Sequence, residues 1–126
     1  MQVNYRDLTK TIASLCEGER DEVALMATVA CELHHADDRF DWTGFYRVVA
    51  PELMKIGPYQ GGHGCLSIPF SRGVCGAAAR TGEVQLVDDV DAFPGHIACA
   101  SSQPAAFTET DAREIGAILH EAFSQC

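Results

Sequence analysis

Three cysteines fall in one stretch of the chain: Cys65 in Gly-Gly-His-Gly-Cys, Cys75 in Arg-Gly-Val-Cys-Gly and Cys99 in Gly-His-Ile-Ala-Cys. Glycine lets backbone come close to a thiol, and His63 and His96 give two of the three an electropositive neighbour that favours the thiolate. Redox chemistry needs a nucleophilic thiolate and a second thiol that can reach it, with no fixed spacing when both lie on loops facing one pocket. Cys65 follows a glycine loop and Cys99 a Pro-Gly-His loop. Cys75 lies near a predicted helix start, where the helix dipole is expected to lower its pKa. The same three residues would serve equally well as small buried hydrophobes, and spacing alone does not choose between the two roles.

Other chemistries fit less well. Cys65, Cys75, Cys99, His63 and His96 are zinc ligands by type, but structural zinc sites take paired ligands two to four residues apart, and no two cysteines here are closer than Cys65 and Cys75. Cys31 belongs to a helical apolar pattern, Cys16 to a helix end and Cys126 to the C-terminus, so core or incidental roles suit them. His34 and His35 stand beside Asp37 and Asp38, yet adjacent helical residues do not face one ligand, and a solvated helix end is expected there.

The elements that must position the thiols follow from residue periodicity. Leu25, Val29 and Leu33 recur at intervals of four within Glu22 to His35, behind an acidic start, which predicts an amphipathic helix. A weaker helical pattern runs from about Tyr5 to Cys16 and stops at Gly18. From Phe40 the texture turns aromatic and β-branched, predicting strands over Trp42 to Val49, Leu53 to Ile56, Leu66 to Phe70 and Val84 to Val87, with Pro51 and Gly57-Pro58 as punctuation. Val74 to Arg80 predicts a short helix ending near Gly82. Thr108 and Asp111 form a capping box before the stripe Ile115, Ile118, Leu119, Ala122 and Phe123. Helices, a mostly antiparallel sheet and a closing helix make an α+β pattern. Trp42, Gly44 and Tyr46 share one face of the first strand, where core packing and an apolar ligand wall are both open.

Composition bounds the rest. The 126 residues suit a single domain, 1–126, and 47% hydrophobic with 21% charged residues suits a folded globular protein. A net charge of −9 argues against a nucleic-acid backbone or an anionic membrane as partner. The chain shows neither a basic-then-apolar leader nor a membrane-length apolar run, so a cytoplasmic location is expected, where six cysteines are not read as a structural disulfide framework.

Taken together, Asp-Trp-Thr-Gly-Phe-Tyr at 41–46, Gly-Pro-Tyr-Gln-Gly at 57–61, Arg-Gly-Val-Cys-Gly at 72–76 and Phe-Pro-Gly-His-Ile-Ala-Cys at 93–99 resemble the free methionine-(R)-sulfoxide reductases, which are built on a GAF domain. The similarity covers almost the whole chain in order. It implies a GAF-like antiparallel sheet flanked by N-terminal and C-terminal helices, with a closed pocket for free methionine-(R)-sulfoxide. By motif, Cys99 matches the nucleophile and Cys65 the resolving thiol, joined in a disulfide that thioredoxin then reduces. Cys75 matches a family cysteine that is either an auxiliary resolving thiol or, in another assignment, the nucleophile. Trp42 and Tyr46 match aromatic residues that line the pocket around the substrate's methyl and sulfoxide groups. No metal or organic cofactor is implied, and a homodimer is left open. A GAF-type ligand-binding or redox-sensing module without turnover is the alternative.

The resemblance breaks after Cys99. In the family this loop leads to an acidic motif, two apolar strands and an aspartate motif before the final helix, whereas here Ala100-Ser101-Ser102-Gln103-Pro104 follows. A central hairpin is therefore expected to be missing, and with it the carboxylates that hold the substrate's ammonium group and assist protonation of the sulfoxide oxygen. Asp88, Asp89 and Asp91 read as the loop before Cys99 rather than as replacements. Losing two inner strands would expose sheet edges in a domain whose margin is about 5–15 kcal/mol. That favours a protein retaining the strands over one deleted for them. An intact mass near 13.6 kDa would exclude retention.

Overall fold

The computed structural model describes residues 3–86, the backbone of residues 99–100 and residues 107–124. Their order is α1 (Tyr5–Cys16), α2 (Glu22–His34), β1 (Trp42–Ala50), β2 (Leu53–Gln60), β3 (Ser67–Pro69), α3 (Gly73–Thr81), β4 (Cys99–Ala100) and α4 (Glu109–Phe123). Three helix starts are set by polar side chains that satisfy otherwise orphaned backbone donors: Asn4 accepts from the Asp7 N–H, Asp21 from that of Ala24 and Thr108 from that of Asp111. The predicted capping box at Thr108 is present in both directions.

The main core lies where these helices meet. Ile12 and Cys16 of α1, Leu25, Val29 and Leu33 of α2, and Ile118 and Ala122 of α4 form one buried cluster, against which Phe45 of β1 packs. Phe45 meets Phe123 with ring centroids 5.7 Å apart. Each fully buried aliphatic side chain of this kind contributes about 1.5–3 kcal/mol relative to exposure. A second cluster, Met54, Ile68 and Cys75, gathers Tyr46, Cys65, Phe70 and Ala79. Successive residues of a strand point to opposite faces, so Phe45 turns toward the helical core while Tyr46 turns toward the thiols.

The sheet order is β3-β2-β1-β4, and the pairings among these strands are antiparallel. Thr43 is in register with Gln60 of β2 on one side and Cys99 of β4 on the other. The sheet departs from expectation at two places. β2 was expected to end at Ile56, before Gly57-Pro58, but it runs on to Gln60. Pairing passes from Gly44↔Tyr59 to Tyr46↔Ile56, so the register shifts across Gly57 and Pro58 and the missing proline N–H interrupts no regular ladder position. The strand predicted over Val84 to Val87 is not formed at residues 84–86: Val84 and Leu86 are exposed and have no pairing partner among the described residues to supply the ladder. Val87 lies outside the described residues. No helix among the described residues is long and apolar enough to cross a membrane.

Candidate functional site

β1 presents Trp42 and Tyr46 beside the loop that follows β2. The Trp42 ring stacks on Tyr59, with centroids 5.3 Å apart and planes at 21°, and on Tyr46, at 6.1 Å and 27°. Gly44 makes this possible. A Cβ there would lie 2.4 Å from Tyr59 Cβ and 2.5 Å from Trp42 Cη2, so any side chain would displace the indole.

Both aromatic residues hold the loop through hydrogen bonds. Trp42 Nε1–H donates to the Gly62 carbonyl at 2.9 Å, and the Tyr46 hydroxyl donates to the Cys65 carbonyl at 3.0 Å. The loop starts at Gly61 with φ +111°, a conformation glycine adopts without strain, and ends where Ile56 N–H bonds the Leu66 carbonyl at 3.0 Å. Cys65 is half-buried at its end, while His63 is exposed. Burial, reinforced by the neighbouring Cys75 and Cys65 thiols, raises the Tyr46 pKa and keeps its hydroxyl a donor.

Cys75 stands in the first turn of α3, as predicted, but its electrostatics reverse the expectation. Burial, with a smaller contribution from the negative charge Cys65 can carry, pushes its thiol up to about 11 rather than down. Loss of solvation outweighs the helix dipole at this position. None of Cys16, Cys31, Cys65 and Cys75 is disulfide-bonded to another described residue. Cys65 and Cys75 come together in one cluster with Tyr46. The backbone of Cys99 enters β4 beside Thr43, while its side chain lies outside the described residues, as do His96, Asp88, Asp89, Asp91 and Cys126.

An apolar cavity of about 410 Å³ opens between α3 and α4, with Cys75, Val74, Phe107, Ile115 and Leu119 on its wall. Trp42, Tyr46 and Cys65 are not among its lining residues. His34 and His35 do close α2 as expected, with His35 exposed and His34 half-buried. His34 Nδ1 lies 3.1 Å from Thr43 Oγ1, and His35 Nδ1 donates to the Cys31 carbonyl at 2.8 Å. Asp37 is buried because its carboxylate caps the backbone of Arg39 and pairs with that guanidinium at 3.1 Å. No cluster of three or more metal-ligating side chains occurs among the described residues.

Periodicity did not point to two features. Tyr59 lies in the quoted Gly-Pro-Tyr-Gln-Gly motif, but its stacking on Trp42 depends on the β1–β2 register. Asp111 is more than a helix cap. It accepts two hydrogen bonds from Arg39, at 2.9 and 3.1 Å, and another from the Tyr5 hydroxyl, so it ties α1 and the approach to β1 to α4.

A four-stranded antiparallel sheet with a helical core on one face and the Trp42, Tyr46, Cys65 and Cys75 cluster on the other defines an α+β domain of the GAF kind. Comparisons with known proteins agree. The chain is 42% identical over 102 residues to protein YtsP of Bacillus subtilis, covering 79% of this chain and 63% of that protein. It is 38% identical over 95 residues to the free methionine-R-sulfoxide reductase of Escherichia coli, covering 75% and 57% respectively. The solved structure of free methionine-R-sulfoxide reductase from Neisseria meningitidis, in complex with its substrate, superposes with a TM-score of 0.84 at 34% identity, over 96% of this chain and 89% of that one. No family model matches the chain. The chain belongs to the free methionine-R-sulfoxide reductase and GAF domain family. It spans about 60% of the length of the curated relatives it matches.

Proposed function

We propose that residues 1–126 act as one GAF domain that reduces free methionine-(R)-sulfoxide with its own thiols. The observation that carries this reading is the placement of Cys65. It sits on a loop fixed to Trp42 and Tyr46, and β1, which bears both, pairs with the strand containing Cys99. The aromatic face suits the substrate's methyl and sulfinyl groups.

In this reading the Cys99 thiolate attacks the sulfoxide sulfur, the oxygen passes to Cys99 as a sulfenic acid, and methionine leaves. Cys65 then attacks the Cys99 sulfur, forming the disulfide and releasing water, and the thioredoxin dithiol reduces that disulfide by exchange. The buried Cys75 thiol, with its pKa pushed up to about 11, is a poor nucleophile at neutral pH, which supports Cys99 for the first step and an auxiliary role for Cys75. No metal or organic cofactor enters the scheme, and the reducing cytoplasm suits a catalytic disulfide. Replacing Cys99 by serine should abolish thioredoxin-dependent release of methionine, measured by chromatography. Undiminished release would refute the nucleophile assignment.

One observation favours a second reading, a ligand-binding or redox-sensing module without turnover. Residues 101–108 alone separate β4 from α4. Two strands of mean length and a turn need about twelve residues or more, which supports a reading in which the family's hairpin and its carboxylates are missing. Binding of methionine sulfoxide without release of methionine would establish this module in place of the enzyme.

A further inference from the structure

The cavity between α3 and α4 lies apart from Trp42, Tyr46 and Cys65, and the proposed reaction makes no use of it. We infer that it is a binding site for an uncharged, mainly hydrocarbon small molecule of two or three rings, seated against Cys75.

The wall sets the size and the chemistry of the occupant. A volume of about 410 Å³ falls within the range of small-molecule pockets. An apolar cavity of about 150 Å³ accepts benzene, so this one has room for two or three rings. Val74, Ile115 and Leu119 supply aliphatic surface, and Phe40 and Phe107 supply two rings with centroids 5.1 Å apart. Asp111 is the only charged side chain on the wall among the described residues, and its carboxylate is already engaged. One oxygen accepts from Tyr5 and Arg39, and the other from Arg39 and from the N–H and hydroxyl of Thr108. A cationic ligand would find no free counter-charge there, and an anionic one would meet a carboxylate. The Gln85 amide donates to the Glu83 carbonyl at 3.4 Å, which leaves its oxygen to accept from a ligand hydroxyl.

Gly116 is an independent observation. It lines the cavity from the middle of α4, and glycine is the poorest residue for a helix interior after proline. A tight contact or a left-handed backbone would explain it, but neither is present. A Cβ at Gly116 would meet no atom within 4 Å among the described residues, and its φ is not positive. Packing does not require this glycine, and its effect is to leave the wall open. On the rim Val84 and Leu86 are 71% and 41% exposed, apolar surface that an occupant would cover.

Cys75 joins the cavity to the thiols, because it lines this wall and also belongs to the cluster that gathers Cys65. A molecule seated in the cavity covers the Cys75 thiol and so lowers its access to reagents.

The test titrates 2-naphthalenemethanol, an uncharged two-ring probe, into the reduced protein by calorimetry. Alkylation of each cysteine by iodoacetamide is followed in parallel by peptide mass. The wild type should bind one probe saturably, and saturation should slow Cys75 alkylation about fivefold or more while leaving Cys65 unchanged. Gly116→Leu and Ala78→Leu fill the cavity from opposite helices. Each should weaken binding about tenfold or more, because probe and side chain then compete for one space. Leucine also favours the helix over glycine, so Gly116→Leu should keep or raise the thermal stability. Weakened binding in either variant at undiminished stability supports the site, and Cys75 protection decides the case if both variants lose stability. No saturable binding, binding unchanged in both variants, or binding that leaves Cys75 alkylation at its free rate would overturn it. None of these readouts depends on methionine release, so failure of the proposed activity and failure of this site are separate results.

Discussion

The Asp111 carboxylate holds together three parts of the chain distant in sequence, and replacing it by asparagine tests how much that junction is worth. Asp111 is 5% exposed and accepts two hydrogen bonds from Arg39 and one from Tyr5, while also closing the capping box of α4. Burial alone would raise its pKa. The hydrogen bonds from Arg39, Tyr5 and the Thr108 N–H, with the Arg39 charge, win and hold it down to about 2 from an ordinary 3.8. The folded pKa lies below the unfolded one, so the stabilisation is complete above about pH 4 and is lost as pH falls through about 2. Its size from that displacement is about 2 kcal/mol. Stranding a buried partner costs about 3–5 kcal/mol, but Arg39 keeps Asp37 and its side chain is 20% exposed, which places the result at or below the lower end. D111N should therefore lose about 2–3 kcal/mol in urea titration at pH 7, with the deficit shrinking toward pH 2. A deficit below about 1 kcal/mol, or one unchanged between pH 7 and pH 2, would refute this account.

Two other consequences can be measured directly. Gly44→Val should cost about 1–3 kcal/mol through overpacking against Tyr59 and Trp42. Because Trp42 is the only tryptophan, its emission should shift to the red as the indole leaves the stack, and unchanged emission would show that the stack tolerates a side chain. The Cys75 thiol should react with iodoacetamide about a hundredfold more slowly at pH 7.5 than an ordinary cysteine, from its raised pKa alone. Its rate should continue rising with pH toward about 11, and a plateau near pH 9 would contradict the effect of burial.

What could be read from the sequence was local. The start of α4 was legible because the capping box is written in two residues three apart, and β1 because aromatic and β-branched residues cluster there. The continuation of β2 through Gly57-Pro58 was not legible, because a proline reads as a stop unless the partner strand's register is known. The Cys75 electrostatics failed for a similar reason. A helix start is visible in sequence, but burial against Met54 and Ile68 comes from tertiary packing and outweighs it. Tyr5 and Arg39 meet Asp111 across 106 and 72 positions, and only the folded chain brings them together.

These failures bear on how the site is built. Cys65 is tied to β1 by the side chain of Tyr46, and β1 is paired with β2 along most of its length, so the position of this thiol follows from the most extensively paired part of the sheet. Among the described residues, the segment of Cys99 joins that sheet through two pairs, Thr43↔Cys99 and Trp42↔Ala100. A short strand contributes little pairing energy of its own, so its place depends on neighbouring packing and on whatever occupies the site. A ligand seated against Trp42 would lie beside the strand position that pairs with Ala100, and its binding would then be coupled to the formation of β4. In the proposed reaction the two thiols would therefore differ in origin: Cys65 is held by β1, and Cys99 is the one whose placement ligand binding would complete.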